Sequence, residues 1–208
     1  MNRPDCKICI VDDDEAIRES LRLLLFADGL SSCSFESADA FLEDSACSQF
    51  DCMLLDIRMP GTDGLELFRI LNRQQLTYPV IFITGHGDIP LAVSAIKQGA
   101  YDFLTKPFRE GELISRIHAA IEHYRSTREQ VAELNQLQHR VALCTPREHD
   151  VLRLLVQGLP NRGIAETLGI SPRTVEIHRA HVMEKMEAGS LPALVRMVAV
   201  LEDSELEK

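Results

Sequence analysis

The sequence predicts an α/β domain, a doubly wound five-stranded parallel sheet of strand order 2-1-3-4-5, followed by a small all-α domain. Three observations predict this. Over residues 5–124, five short strand-like segments alternate with five stretches of helical period, the pattern of a parallel sheet with crossover helices. Several of those runs stop abruptly at a polar residue: Val11 before Asp12, Leu55 before Asp56, Ile83 before Thr84. Beyond residue 142 apolar residues recur at helical spacing, with helix starts at Thr145-Pro146 and Ser171-Pro172.

Taken in order, Ile8-Cys-Ile-Val11 is the first strand, and Asp12-Asp13-Asp14-Glu15 follows at once. Asp14 caps a helix whose Ala16, Ile17, Leu21, Leu24 and Leu25 form a core face and which Gly29 ends. Ser31 to Phe35 is a second strand, and Ser37 caps a helix with Ala38, Phe41 and Leu42. Met53-Leu-Leu55 ends the third strand at Asp56, and a turn through Pro60 and Gly61-Thr-Asp-Gly64 leads into Leu65, Leu67, Phe68 and Leu71. The fourth strand is Val80-Ile-Phe-Ile-Thr84. In the Gly85-His-Gly87 loop the glycines allow rearrangement, and His86, standing alone, reads as a solvent-facing residue. A helix from Ile89 to Gln98 stops at Gly99; the fifth strand is Tyr101 to Thr105; Glu110 opens a helix with Leu113, Ile117 and Ile121.

In an open parallel sheet ligands bind at the carboxyl ends of the strands. If the first and third strands are central and parallel, Asp56 and the knot Asp12-Asp13-Asp14-Glu15 bring three or four carboxylates to one edge, and such repulsion requires a cation; hard oxygen ligands favour Mg²⁺. A carboxylate beside Mg²⁺ can accept a phosphoryl group. Thr84 adds a hydroxyl and Lys106, before Pro107, an ammonium.

With these residues in this order, positions 5–124 closely resemble the receiver domain of two-component response regulators. The resemblance implies that Asp56 is the phosphorylated aspartate, and that Mg²⁺ is held by Asp12, Asp13, Asp56 and the backbone carbonyl of Arg58. It also implies that Thr84 is the switch hydroxyl, Lys106 the phosphate-binding lysine, Phe103 the switch aromatic, and Lys106-Pro107 a candidate cis bond.

The chain has 208 residues and a net charge of −10. Of the 22 basic and 32 acidic residues, 12 and 20 lie in residues 1–125 and 8 and 10 in residues 141–208. The acid is thus concentrated in the first half, while the second is nearly neutral with clustered arginines, a weak sign of nucleic-acid binding. No apolar run approaches a bilayer span and no signal core follows Met1, so a cytoplasmic protein is expected, with no membrane partner. Cys6-Lys-Ile-Cys9 is the only CxxC; Cys9 falls in a strand pattern, so the cysteines read as reduced thiols.

Between the halves, residues 125–142 form a helical linker in which Val131, Leu134, Leu137 and Val141 step by three or four. That stripe suits either pairing with a second copy or packing on its own domain. Residues 143–208 then give a helix opened by Thr145-Pro-Arg-Glu148, with Val151, Leu152, Leu154, Leu155 and Val156 inside. Asn161 to Leu168, a Gly169 turn and a helix from Ser171 form a helix-turn-helix; Val175, Val182 and Met186 pack, while Arg173, Thr174, Ile177, His178 and Arg179 are available to a duplex. Arg162 on the preceding helix is a further candidate for DNA contact, and Glu176 reads either as a cytosine contact or as a solvent-facing charge.

The segments TPRE, NRGIAETLGIS and TVEIHR resemble the LuxR/GerE type of DNA-binding domain, and the whole chain is similar to FixJ-type response regulators of the NarL-like family. The resemblance implies a transcription regulator, not an enzyme beyond its own phosphotransfer and dephosphorylation. A sensor histidine kinase would supply the phosphoryl group, and a phosphorylation-induced homodimer would bind an inverted-repeat promoter site in double-stranded DNA. The last helix, Leu191 to Leu201, would serve dimer contact. The rival reading is a receiver whose output domain binds protein instead of DNA.

Overall fold

The computed structural model describes residues 6–44, 50–85 and 89–206. The chain divides into two compact units, Met1–Ser126 and Thr127–Lys208.

In the first unit the strands are β1 (Lys7–Val11), β2 (Ser31–Phe35), β3 (Cys52–Asp56), β4 (Val80–Thr84) and β5 (Asp102–Thr105). They form one parallel sheet in the order β2-β1-β3-β4-β5, as the sequence predicts. The helices α1 (Glu15–Ala27), α2 (Ala38–Glu43), α3 (Gly64–Arg73), α4 (Ile89–Lys97) and α5 (Glu110–Ala142) alternate with the strands.

Successive strand side chains point to opposite faces. Cys9, Val11, Met53, Leu55 and Phe82 meet Phe41, Leu67, Phe68, Ala92 and Ala95 of α2, α3 and α4. On the other face Ile8, Ile10, Leu54, Ile81, Ile83 and Leu104 meet Leu21, Leu25, Leu113, Ile117 and Ile121 of α1 and α5. A sheet covered on both sides needs apolar residues on both faces of its central strands, which is why β1, β3 and β4 read as near-continuous apolar runs, while the edge strands β2 and β5 are mixed.

Asp14 caps α1, accepting from the Ala16 N–H at 2.8 Å. Ala16 itself is exposed, a correction to its expected place in the core: it lies in the first turn, before the helix settles on the sheet. Strand β5 begins at Asp102, one residue later than expected, although Tyr101 N–H already donates to the Val80 carbonyl at 3.0 Å. His86 and Gly87 lie outside the described residues. Cys6, Cys9, Cys52 and Cys144 are buried and Cys33 is partly buried.

The stretch read as a linker, 125–142, is the second half of α5. Its stripe is divided: Val131 is exposed, whereas Leu137 is buried and Val141 packs against the core of the second unit.

That unit also contains α6 (Pro146–Val156), α7 (Asn161–Leu168), α8 (Pro172–Lys185) and α9 (Leu191–Leu206). Val151, Leu155, Ile164, Val175, Val182, Met186 and Leu194 form its core. Thr145 and Glu148 make a reciprocal capping box at the start of α6. Gly169 turns the chain from α7 to α8 at φ 66°, left-handed backbone that glycine adopts without penalty.

Gly163 sits inside α7, and a methyl group added there would meet nothing closer than the Pro160 ring at 3.7 Å. Gly163→Ala is therefore expected to raise the stability of this unit by up to about 1 kcal/mol, the helix-propensity difference, measurable by chemical denaturation.

Candidate functional site

Strand register assembles the first site. Val11 pairs with Leu55, which sets the following residues, Asp12 and Asp56, side by side at the carboxyl edge. Asp56 pairs with Ile83, one residue before Thr84, and Thr84 pairs with Thr105, one residue before Lys106. Four residues far apart in sequence thus meet because each ends, or directly follows, one of the strands β1, β3, β4 and β5.

Asp12 is 2% exposed and Asp56 only partly so. The Lys106 ammonium donates to Asp12 Oδ2 at 2.9 Å and to Asp56 Oδ2 at 3.0 Å. Burial opposes its charge, yet the hydrogen bond to Asp12 and the charges of Asp56 and Asp12 together hold its pKa above the ordinary lysine value. Burial also raises the Asp56 pKa, and the Asp12 charge adds to this, outweighing the stabilisation by Lys106. The carboxylate at the centre of the pocket is therefore short of positive charge.

One carboxylate oxygen from each of Asp12, Asp13 and Asp56 lies within 4.8 Å of the others. An all-oxygen donor set around an undercompensated carboxylate fits Mg²⁺. Arg58 is exposed, and its N–H points to Asp56 Oδ1 at 3.4 Å. Thr84 is fully buried; its hydroxyl donates to the Gly85 carbonyl at 3.2 Å, and its own carbonyl accepts from the Lys106 N–H at 2.7 Å. Phe103 is half-buried against the core face beneath α4. The Lys106-Pro107 bond is cis.

Two supports of this pocket escaped the sequence reading. The Arg18 guanidinium donates to the Asp12 carbonyl at 2.7 Å, fixing the backbone that carries the acidic pair. Gly64, read only as a turn residue, passes so close to the Asp56 backbone that a Cβ would stand 1.9 Å from its carbonyl oxygen. Gly64→Ala must displace that backbone; it is expected to cost about 2 kcal/mol of stability, an overpacking penalty, in urea unfolding of the full chain.

In the second unit the expected DNA-facing residues separate into groups. Arg173, Glu176 and Ile177 are exposed on α8, at the three- and four-residue spacing of one helix face. Thr174 is half-buried beside the capping Ser171, and Arg179 donates to Asn161 Oδ1 at 3.0 Å, tying α8 to the start of α7. Arg162 is exposed on α7 and pairs with Glu166 at 3.3 Å, a solvated contact that leaves it available. His178 differs from the rest: its Nδ1 has no accessible surface, and the ring lies beside Glu148 and His181. Glu148 is buried and accepts from Lys185 at 2.6 Å, a pairing across 37 residues that no local spacing announces.

Comparison with known proteins places this geometry. Residues 8–118 match the response regulator receiver domain family, and residues 142–198 match the family described as bacterial regulatory proteins, luxR family. The transcriptional regulatory protein FixJ of Bradyrhizobium diazoefficiens is 45% identical over 190 residues, 91% of this chain and 93% of that protein. The response regulator protein TodT of Pseudomonas putida is 43% identical over 197 residues, covering 95% of this chain and 87% of its own. Among solved structures, the response regulator StyR superposes with a TM-score of 0.81 at 40% identity, covering 94% of this chain and 99% of that one.

Proposed function

Since this chain belongs to the response regulators, as a receiver domain joined to a luxR-family regulatory domain, we propose that Asp56 is the residue its partner kinase phosphorylates. The protein is a phospho-regulated transcription regulator of a two-component system. Among the described residues no helix is long and apolar enough to cross a membrane; a cytoplasmic location accords with its partners. The receiver spans 1–124, residues 125–142 link it to the output domain, and 143–208 bind DNA.

One observation carries the assignment of Asp56: the Lys106 ammonium bridges Asp56 and Asp12 where strands β1, β3 and β5 end. Phosphate acceptors need a carboxylate, a cation pocket and a fixed positive charge together. An Asp56 oxygen attacks the phosphorus of a phosphohistidine on the sensor kinase; the P–O bond forms, the P–N bond breaks, and the imidazole leaves with the electron pair and takes up a proton. Receiver domains generally bind Mg²⁺ at this acidic pocket, and here Asp12, Asp13, Asp56 and the Arg58 carbonyl would hold it. When bound, Mg²⁺ offsets charge on the transferring oxygens.

With phosphate on Asp56, Lys106 exchanges a carboxylate partner for a phosphoryl oxygen, and the Thr84 hydroxyl leaves the Gly85 carbonyl for another. That draws in the loop after β4 and lets Phe103 repack. The altered receiver face favours a homodimer, which sets two copies of α8 about one helical turn apart on an inverted-repeat promoter site. Arg162, Arg173, Thr174, Glu176, Ile177 and Arg179 carry the duplex contacts. Slow hydrolysis, in which water attacks the phosphorus and the P–O bond to Asp56 breaks, releases inorganic phosphate, restores the carboxylate and resets the switch.

The test is sedimentation and duplex binding with Mg²⁺, with and without beryllofluoride, in wild type and Asp56→Asn. Dimerisation and tighter binding only in the wild type with beryllofluoride support the assignment; an equal response in Asp56→Asn refutes it. Failure of both proteins to bind a genomic fragment pool at low salt would point to a protein partner for the output domain.

A further inference from the structure

One side of α8 carries a group of side chains that the switch does not use. His178, His181 and Lys185 recur at three- and four-residue spacings, and all three lie near Glu148 of α6. The two oxygens of Glu148 are engaged differently. Oε2 accepts from Lys185 Nζ at 2.6 Å and from the Thr145 N–H at 2.8 Å, which fixes the carboxylate in place. Oε1 lies 3.3 Å from His181 Nδ1. One ligand atom from each of Glu148, His178 and His181 falls within 4.8 Å of the others. The Nδ1 of His178 is inaccessible and has no hydrogen-bond partner among the described residues.

We propose that Glu148, His178 and His181 form a binding site for a divalent d-block cation of the Zn²⁺ class, clamping the DNA-facing helix α8 to α6. The donor set selects the ion: two imidazoles and a carboxylate suit Zn²⁺ or its neighbours, whereas Mg²⁺ and Ca²⁺ require oxygen ligands throughout. The spacing fits too. Ligands about 2.0 Å from a tetrahedral ion stand about 3.3 Å apart, and the Oε1 to Nδ1 separation is 3.3 Å. Three protein ligands leave the fourth position to water. The Thr145 N–H orients the carboxylate as hydrogen-bonding groups behind metal ligands do, and the Lys185 ammonium does so too from Oε2, at a cost in affinity from its like charge. An ion here joins two helices through groups from each. The site lies wholly within the second unit and is separate from the all-oxygen pocket at Asp56.

The experiment uses full-length protein stripped with chelator and then given excess Mg²⁺, which occupies the oxygen site. Co²⁺ is added as a spectroscopic probe, and Zn²⁺ in a parallel melting series. One Co²⁺ per chain is expected, with visible d–d absorption and no thiolate charge-transfer band. Saturating Zn²⁺ is expected to raise the melting temperature by roughly 5 °C. Both effects persist in Asp56→Asn and disappear in His181→Asn, whose ring is half-exposed and removable without opening the core. His178→Gln is the second variant, and melting in chelator shows that each one folds. Absence of a bound equivalent, its survival in both histidine variants, or a thiolate band would each overturn the proposal.

Discussion

Lys106→Met is expected to tighten Mg²⁺ binding at least tenfold while abolishing dimerisation in response to beryllofluoride. The two effects have opposite signs because Lys106 has two roles. Without a phosphoryl group its ammonium is the cation of the acidic pocket, bonded to Asp12 and Asp56 at 2.9 and 3.0 Å. It therefore competes with any divalent ion held by the same carboxylates. Charges of +1 and +2 held about 5 Å apart repel by about 1.7 kcal/mol even with water-like screening, more than a factor of ten in affinity. Methionine has similar length and no charge, so that repulsion vanishes. Its loss also leaves the buried Asp12 facing Asp56 uncompensated, and the variant should melt below wild type in chelator and approach it in excess Mg²⁺. Once Asp56 carries the phosphoryl mimic, only an ammonium at this position can hold its fluorides from the β5 side. Calorimetric titration with Mg²⁺ and sedimentation with beryllofluoride test both arms. Unchanged Mg²⁺ affinity together with intact dimerisation would remove Lys106 from the switch.

The sheet and its site were legible for one physical reason: strands buried on both faces are apolar throughout, so the first polar residue marks where each strand leaves the core. Asp12, Asp56 and Thr84 end such runs in β1, β3 and β4, and parallel pairing brings these strand ends together with Lys106, which follows β5. Contacts that local patterns do not encode were hidden. Gly64 looks like any turn glycine until α3 is laid against Asp56, when its missing Cβ becomes a steric requirement. The stripe from Val131 to Val141 has one period but two environments, because only its lower part reaches the second unit's core. His178 lies one position from Ile177, yet a 100° turn of the helix moves its ring from the exposed face to the side of Glu148. The His178-x-x-His181 spacing was visible in the sequence, but its third partner comes from a helix about thirty residues earlier, which periodicity cannot locate.

Glu148 itself gives the largest expected effect on stability. The hydrogen bond from Lys185, then the N–H of Thr145, outweigh the cost of burial and lower its pKa from 4.5 to about 2. A carboxylate whose pKa is depressed on folding adds stability above its unfolded pKa and loses it as the pH falls through the folded value. The window therefore runs from about pH 4.5 down to about 2, and the full contribution, about 3 kcal/mol at 1.36 kcal/mol per pKa unit, is present at neutral pH. Glu148→Gln keeps an oxygen for the Thr145 N–H and loses the charge opposite Lys185. At pH 7 in chelator, it is expected to destabilise the second unit by about 3 kcal/mol, with the difference shrinking toward zero as the pH approaches 2. Hydrogen exchange at α6 and α8 measures that unit apart from the receiver. If the two proteins lost protection in parallel with falling pH, the ion pair would contribute nothing, and the capping box alone would account for the glutamate. Convergence at low pH would instead show that α8 is held to α6 by charge. The helix that carries the DNA-facing residues would then be the part of this unit that acid loosens first.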